Sequence, residues 1–86
     1  MKITINLEEE KDKEILQALK SPTRQRILEL TKSEWLNVKQ LSEIIDLTQA
    51  CISEHVTILE NAELIRIKRE KGETRGQQKL IKAREV

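Results

Sequence analysis

Along residues 48–62, TQACISEHVTILENA, the apolar positions recur at helical spacing. Turning about 100° per residue from Ile52 puts Val56 and Leu59 on the same narrow stripe. Gln49, Ala50, Ser53, Glu54 and Thr57 fall roughly opposite, toward the start of the helix. They are small, short or hydrogen-bonding, whereas a purely solvated face more often carries long charges. A shorter helix is predicted just upstream, over residues 37–45, with Val38, Leu41, Ile44 and Ile45 as its apolar stripe. Asn37 is its cap, and Gln40 three residues later completes a capping-box pattern. Asp46, Leu47 and Thr48 form the link. Asp tolerates the left-handed conformation such links need, though less well than Gly. Leu47 is expected to fill the space between the helices, and Thr48 to cap the second one. Helix, short turn and helix with a small polar face is a helix-turn-helix pattern.

The same reading extends to both sides. Residues 1–7 alternate Ile3, Ile5 and Leu7 with polar positions, a strand pattern. They are either a strand that pairs or a loosely ordered lead-in. Residues 8–20 read as helix one, with an acidic first turn that suits a helix amino terminus. Ile15, Leu16 and Leu19 are its buried stripe. Ser21 and Pro22 restart the chain as N-cap and first helical residue. Helix two then runs to about residue 32, with Ile27, Leu28 and Leu30 inward. Arg24 is expected on the surface, with phosphate contact as the alternative. Residues 33–36 form a turn around Trp35, with room for a very short strand at 35–36. Residues 64–71 alternate Ile65 and Ile67 with charges, a half-buried strand. The loop 72–76 is bracketed by the two glycines, and residues 77–84 return as a second strand, giving a hairpin. The expected fold is mainly α with a small β-hairpin: a winged helix-turn-helix of three to four helices and a two-stranded wing. It is expected as one domain over 1–86, with residues 1–7 as arm, 37–62 as helix-turn-helix and 64–84 as wing.

Charge changes the picture by its placement. The net charge is only +1. Residues 1–63 hold 8 Lys and Arg against 12 Asp and Glu, net −4, while residues 64–86 hold 8 against 3, net +5. A basic hairpin on an acidic body suggests a polyanionic partner met by the hairpin. Trp35 as sole aromatic argues against base-stacking modes of single-strand or RNA binding. A single cysteine cannot form an internal disulfide. No run of about 18 apolar residues offers a membrane span, and the amino end lacks the apolar core of a signal peptide. A cytoplasmic protein is expected.

Catalysis has little to work with: one His, one Cys, no Tyr and no glycine-rich phosphate loop. Cys51 and His55 are spaced to share a helical face, which a nucleophile–base pair or a metal would need. The wheel turns both toward the buried flank, so Cys51 reads as a small core residue. No enzyme activity, metal or cofactor is expected. Double-stranded DNA explains more. Gln49 can pair with adenine, Ala50 can meet a thymine methyl, and Ser53 and Thr57 can reach bases or phosphates. Glu54 can accept from cytosine or steady a neighbouring base-contacting side chain. Lys71, Arg75 and Lys79 are the expected phosphate or minor-groove contacts of the hairpin. The rival reading is a winged helix used for protein–protein contact, where the near-neutral balance and Glu54 would be natural.

Four stretches resemble the ArsR type of winged-helix transcriptional regulator: ALKSPTRQRILEL (18–30), NVKQLSEIIDLTQACISEHVTILENAELI (37–65), the SEH within it (53–55), and KGETRGQQKL (71–80). The likeness spans about residues 14–82. It implies a homodimer on a partly palindromic operator, usually as a repressor. It also implies DNA contacts at Gln49, Ala50, Ser53, Glu54 and His55. For His55 the wheel points to the core flank, and the resemblance to a DNA or interhelix contact. The cysteine pair of many metal-sensing members is missing at Trp35–Val38. The helix that follows the wing in other members lies beyond these residues. The dimer would then rest on helix one with Ile3, Ile5 and Leu7, unless the chain is the DNA-binding part of a longer effector-sensing regulator. Glu63 stands where the family has glycine after the recognition helix; in a left-handed conformation it would cost about 1 kcal/mol.

Overall fold

Three of the four helices start at a cap that the sequence offers, in a computed structural model that describes residues 10–71 and 77–84. The strand pattern at 1–7 and the glycine loop at 72–76 lie outside the described residues. Helix α1 spans Glu10–Leu19 and α2 spans Pro22–Leu30. Ser21 caps α2 by accepting the Arg24 N–H at 3.3 Å, with Pro22 in its first turn. Helix α3 spans Val38–Ile45. Its capping box is complete: Asn37 Oδ1 accepts the Gln40 N–H at 2.7 Å, and Gln40 Oε1 accepts the Asn37 N–H at 2.8 Å. Helix α4 spans Gln49–Asn61, capped by Thr48 Oγ1, which accepts the Cys51 N–H at 3.1 Å.

Two non-glycine residues take positive φ among those described: Asp46 at 64° ends α3, and Glu63 at 58° ends the turn after α4. Both are where the left-handed turn was expected. Glu63→Gly is therefore expected to stabilise the chain, by up to about 1 kcal/mol, because glycine has no Cβ to crowd the following carbonyl. A thermal melt that moved down would show that the turn gains more from the glutamate than it loses in strain.

The two expected wing strands pair as a hairpin, and the very short strand expected at 35–36 joins them one residue later, making a three-stranded sheet. Strand β1 is Leu36–Asn37, β2 is Ile65–Lys71 and β3 is Gln77–Ala83, in the order β1-β3-β2, all antiparallel. Leu36 pairs with Ile81 and Asn37 with Leu80, so the wing is anchored to the start of α3. Asn37 thus ends a strand and caps a helix. The Ala83 N–H also donates to the Thr31 carbonyl and the Arg84 N–H to that of Leu64, both at 3.0 Å, which ties the last strand to the body.

The core lies between the helices and one face of the sheet. Ala18, Ile27, Leu36, Leu41, Ile52, Val56, Leu59, Ala62, Leu64, Ile65 and Ile81 form one buried cluster. Ile15, Leu19, Leu28, Leu30, Val38, Ile45 and Ile67 are packed around it, partly buried. Buried Thr31 satisfies its hydroxyl by donating to the Ile27 carbonyl at 2.8 Å. Two expectations fail. Ile44 is 47% exposed and Leu47 36% exposed. The short α3 turns Leu41, Ser42, Ile45 and Val38 inward, and Ile44 sits about 110° from the middle of that arc. Leu47 stays at the surface of the link and does not fill the space between the helices. No described helix is long and apolar enough to cross a membrane.

Candidate nucleic-acid interface

Helix α4 is held by its apolar side: Ile52, Val56 and Leu59 are buried. The opposite side is open. Gln49, Ala50, Ser53, Glu54 and Thr57 are all exposed, as expected from the wheel. Thr57 spends its hydroxyl proton on the Ser53 carbonyl at 3.0 Å, so toward a ligand it can offer only lone pairs. Cys51 is half-buried, less enclosed than a core residue.

Wing and helix meet at a hollow of about 420 Å³ lined by Asn37, Val38, Lys39, Gln49, Ser53, Gln78 and Lys79. Two expected contact residues of α4 and one of the wing therefore share one surface. Lys39 joins them and was not anticipated; its only sequence signal is a charge two residues after a helix cap. Gln78 is fixed there by the Asn37 side-chain amide, which donates to Gln78 Oε1 at 3.0 Å. Lys79 lies 3.8 Å from Glu60 of α4. Lys71 is exposed at the end of β2. Arg75 lies outside the described residues.

The wing carries repulsion of its own. Arg66 is paired across the strands with Lys82, and Arg69 with Lys79. Like charges directly opposite are destabilising, and a polyanion alongside would relieve them. Lys68 is engaged otherwise: it pairs with Glu70 at 3.0 Å and sits 4.8 Å from the centroid of the half-buried Trp35 ring.

His55 and Arg24 correct the sequence reading together. Arg24 is not a free surface side chain. Its Nε donates to the Ala18 carbonyl at 2.8 Å and its Nη2 to that of Gln17 at 3.0 Å, closing the end of α1. Its Nη1 meets His55 Nδ1 at 3.2 Å. So the interhelix role suggested for His55 is realised, and the imidazole does not turn to Cys51. Burial lowers the His55 pKa from its ordinary 6.5; the Arg24 charge lowers it further, and Glu54 opposes both. Among the described residues no group of three or more His, Cys, Asp or Glu could hold a metal ion.

Known structures share this fold. NolR from Sinorhizobium fredii superposes with a TM-score of 0.75 at 23% identity, over 96% of this chain and 81% of that one. The reduced form of HlyU from Vibrio cholerae superposes with a TM-score of 0.74 at 24% identity, over 88% and 75% of the two chains. An ArsR family transcriptional regulator gives 0.73 and 24%, over 88% and 78%. At these identities the likeness speaks for the winged helix-turn-helix fold. No curated protein matches the chain. The family model described as "Bacterial regulatory protein, arsR family" matches residues 21–66, from the cap of α2 into β2 and more than half of the sequence. The chain belongs to the arsR family of bacterial regulatory proteins and is a DNA-binding transcriptional regulator.

Proposed function

We propose that the chain is a sequence-specific repressor that binds double-stranded DNA as a homodimer. The observation that carries this is the junction of α4 and wing. The exposed small-residue face of α4 opens onto the same hollow as Lys39 and Lys79. In this reading α4 enters the major groove and reads bases with Gln49, Ala50 and Ser53. Glu54 and Thr57 act as acceptors, since neither has a donor to give. Lys39, Lys71, Arg75 and Lys79 follow the phosphates, and His55 flanks the helix on its α2 side. A dimer would set two such helices in successive grooves, about 34 Å apart. Covering a promoter with such a dimer is what makes a repressor.

Base contacts and phosphate contacts should separate by mutation. A duplex selected from a random pool by the wild-type chain supplies the target. Gln49→Ala or Ser53→Ala is expected to lower the preference for it over a scrambled duplex by about 1–3 kcal/mol. Lys79→Ala is expected to weaken both duplexes alike. If the lysine change altered preference and the α4 changes did not, these roles would be reversed. The mass of the particle in solution tests the dimer, and promoter output with and without the chain tests repression.

A further inference from the structure

Arg24 of α2 reaches three acceptors at once: the Gln17 and Ala18 carbonyls at the end of α1 and Nδ1 of His55 in α4. A guanidinium can only donate. The ring nitrogen that faces it must therefore be the bare acceptor, and the imidazole proton must sit on Nε2. We infer that Arg24 is a positioning residue for DNA reading, which holds His55 as the Nε2–H tautomer and thereby locks the recognition helix against α1 and α2. This rests on the DNA reading proposed above.

The lock matters because of how α4 is otherwise held. Its buried stripe, Ile52, Val56 and Leu59, makes non-directional contacts. These fix the depth of the helix better than its rotation. Directional contacts grip both flanks. His55 lies about 60° to one side of Ile52 and Glu60 about 80° to the other. The Glu60–Lys79 contact is long, at 3.8 Å, and exposed, so it is weak. The Arg24–His55 bond is shorter, at 3.2 Å, and half-buried. Its arginine is itself pinned at two other points. Side chains extend to about 5–6 Å from a helix axis, so a turn of about 10° moves a side-chain tip by about 1 Å. A binding constellation tolerates about 0.5 Å. Loss of the flank bond is therefore enough to blur the reading by Gln49 and Ser53 without unfolding anything.

Protonation should act like mutation. His55⁺ has a donor on both nitrogens and can no longer accept from Arg24. The charged groups that act on the ring are Arg24 from α2 and Glu54 from α4 itself, while α1 offers carbonyls to Arg24. Because the folded pKa is held below the ordinary value of 6.5, the locked form is complete above that value. It is lost as pH falls through the folded pKa.

The test uses the selected and scrambled duplexes and the full chain. In wild type, imidazole ¹⁵N spectra are expected to show one neutral tautomer, protonated at Nε2. Arg24→Met is expected to give a mixture of tautomers and about a tenfold loss in the selected-to-scrambled affinity ratio, the size of one base contact. Arg24→Lys keeps the charge but cannot span three acceptors, so the same loss is expected. His55→Gln retains an acceptor for Arg24 and does not titrate. Its ratio should stay flat from about pH 7.5 to about 5.5, while that of wild type falls. A wild-type ratio that holds or rises in acid, full discrimination in Arg24→Lys, or an Nδ1–H tautomer would each overturn the inference. If wild type bound no duplex, the DNA reading would fall and the positioning role with it. Should Arg24→Met not fold, the His55→Gln profile and the wild-type spectrum still decide.

Discussion

Replacing Ile52 by alanine is expected to lower the unfolding free energy by about 2–5 kcal/mol. Ile52 is fully buried on the α4 stripe, in the same core cluster as Ile27, Leu41 and Leu59. Truncation removes three carbons of buried surface and leaves a cavity that rigid neighbours cannot close. At roughly 0.05–0.15 kcal/mol per residue, a chain of this length has about 4–13 kcal/mol in all. The loss is thus a large share of the total. Ile44→Ala is the matched control. Its side chain is 47% exposed, so a change within about 1 kcal/mol is expected. Urea unfolding at fixed protein concentration reads both, with the midpoint moving and the slope unchanged. Equal losses at the two isoleucines would mean that α3 turns its other side inward.

That pair of isoleucines also marks the limit of what periodicity can say. Val38, Leu41, Ile44 and Ile45 all belong to one plausible stripe, but a helix of eight residues can bury only part of it. Which part depends on where α4 and β3 lie, and that is not a local property. Local signals carried well. The capping box at Asn37, the Thr48 cap, the left-handed turns at Asp46 and Glu63 and the open face of α4 stand where the residue types put them. Each rests on steps of four positions or fewer along the chain. Contacts between distant positions were out of reach. Asn37 pairs with Leu80 and bonds Gln78, and Arg24 meets His55 across 31 positions. The wheel set His55 on the core flank correctly. It had no means of showing that a cation from α2 waits there, so Arg24 reads as solvated and Lys39 as unremarkable. The candidate face was therefore legible on α4, while its neighbours and its supports were not.

Duplex affinity is expected to fall by about 10³–10⁵-fold between 50 and 200 mM salt, if two chains together make the 6–10 phosphate contacts such a loss implies. Helix α4, QACISEHVTILEN, contributes nothing to that attraction: it holds no Lys or Arg and two glutamates. The cations must come from beside it. Lys39 and Lys79 line the hollow, and Arg69 and Lys71 lie on β2. With Arg75, these allow three to five contacts per chain by count, so two chains are needed to reach the steeper slope. The slope of log affinity against log salt, about −0.9 per phosphate, consequently reads stoichiometry as well as charge. A slope near −3 to −4 would correspond to one chain on the duplex and would sink the homodimer. A flat slope would sink DNA reading by this surface altogether and favour a protein partner for α4, whose glutamates would then be assets. Within the dimer reading, Lys79→Ala is expected to reduce the slope by about one contact per chain. The reduction should fall short of that if Glu60, 3.8 Å away, already neutralises part of the lysine charge before DNA arrives. Glu60→Gln separates the two cases: releasing Lys79 should raise affinity at low salt and restore the full lysine contribution to the slope.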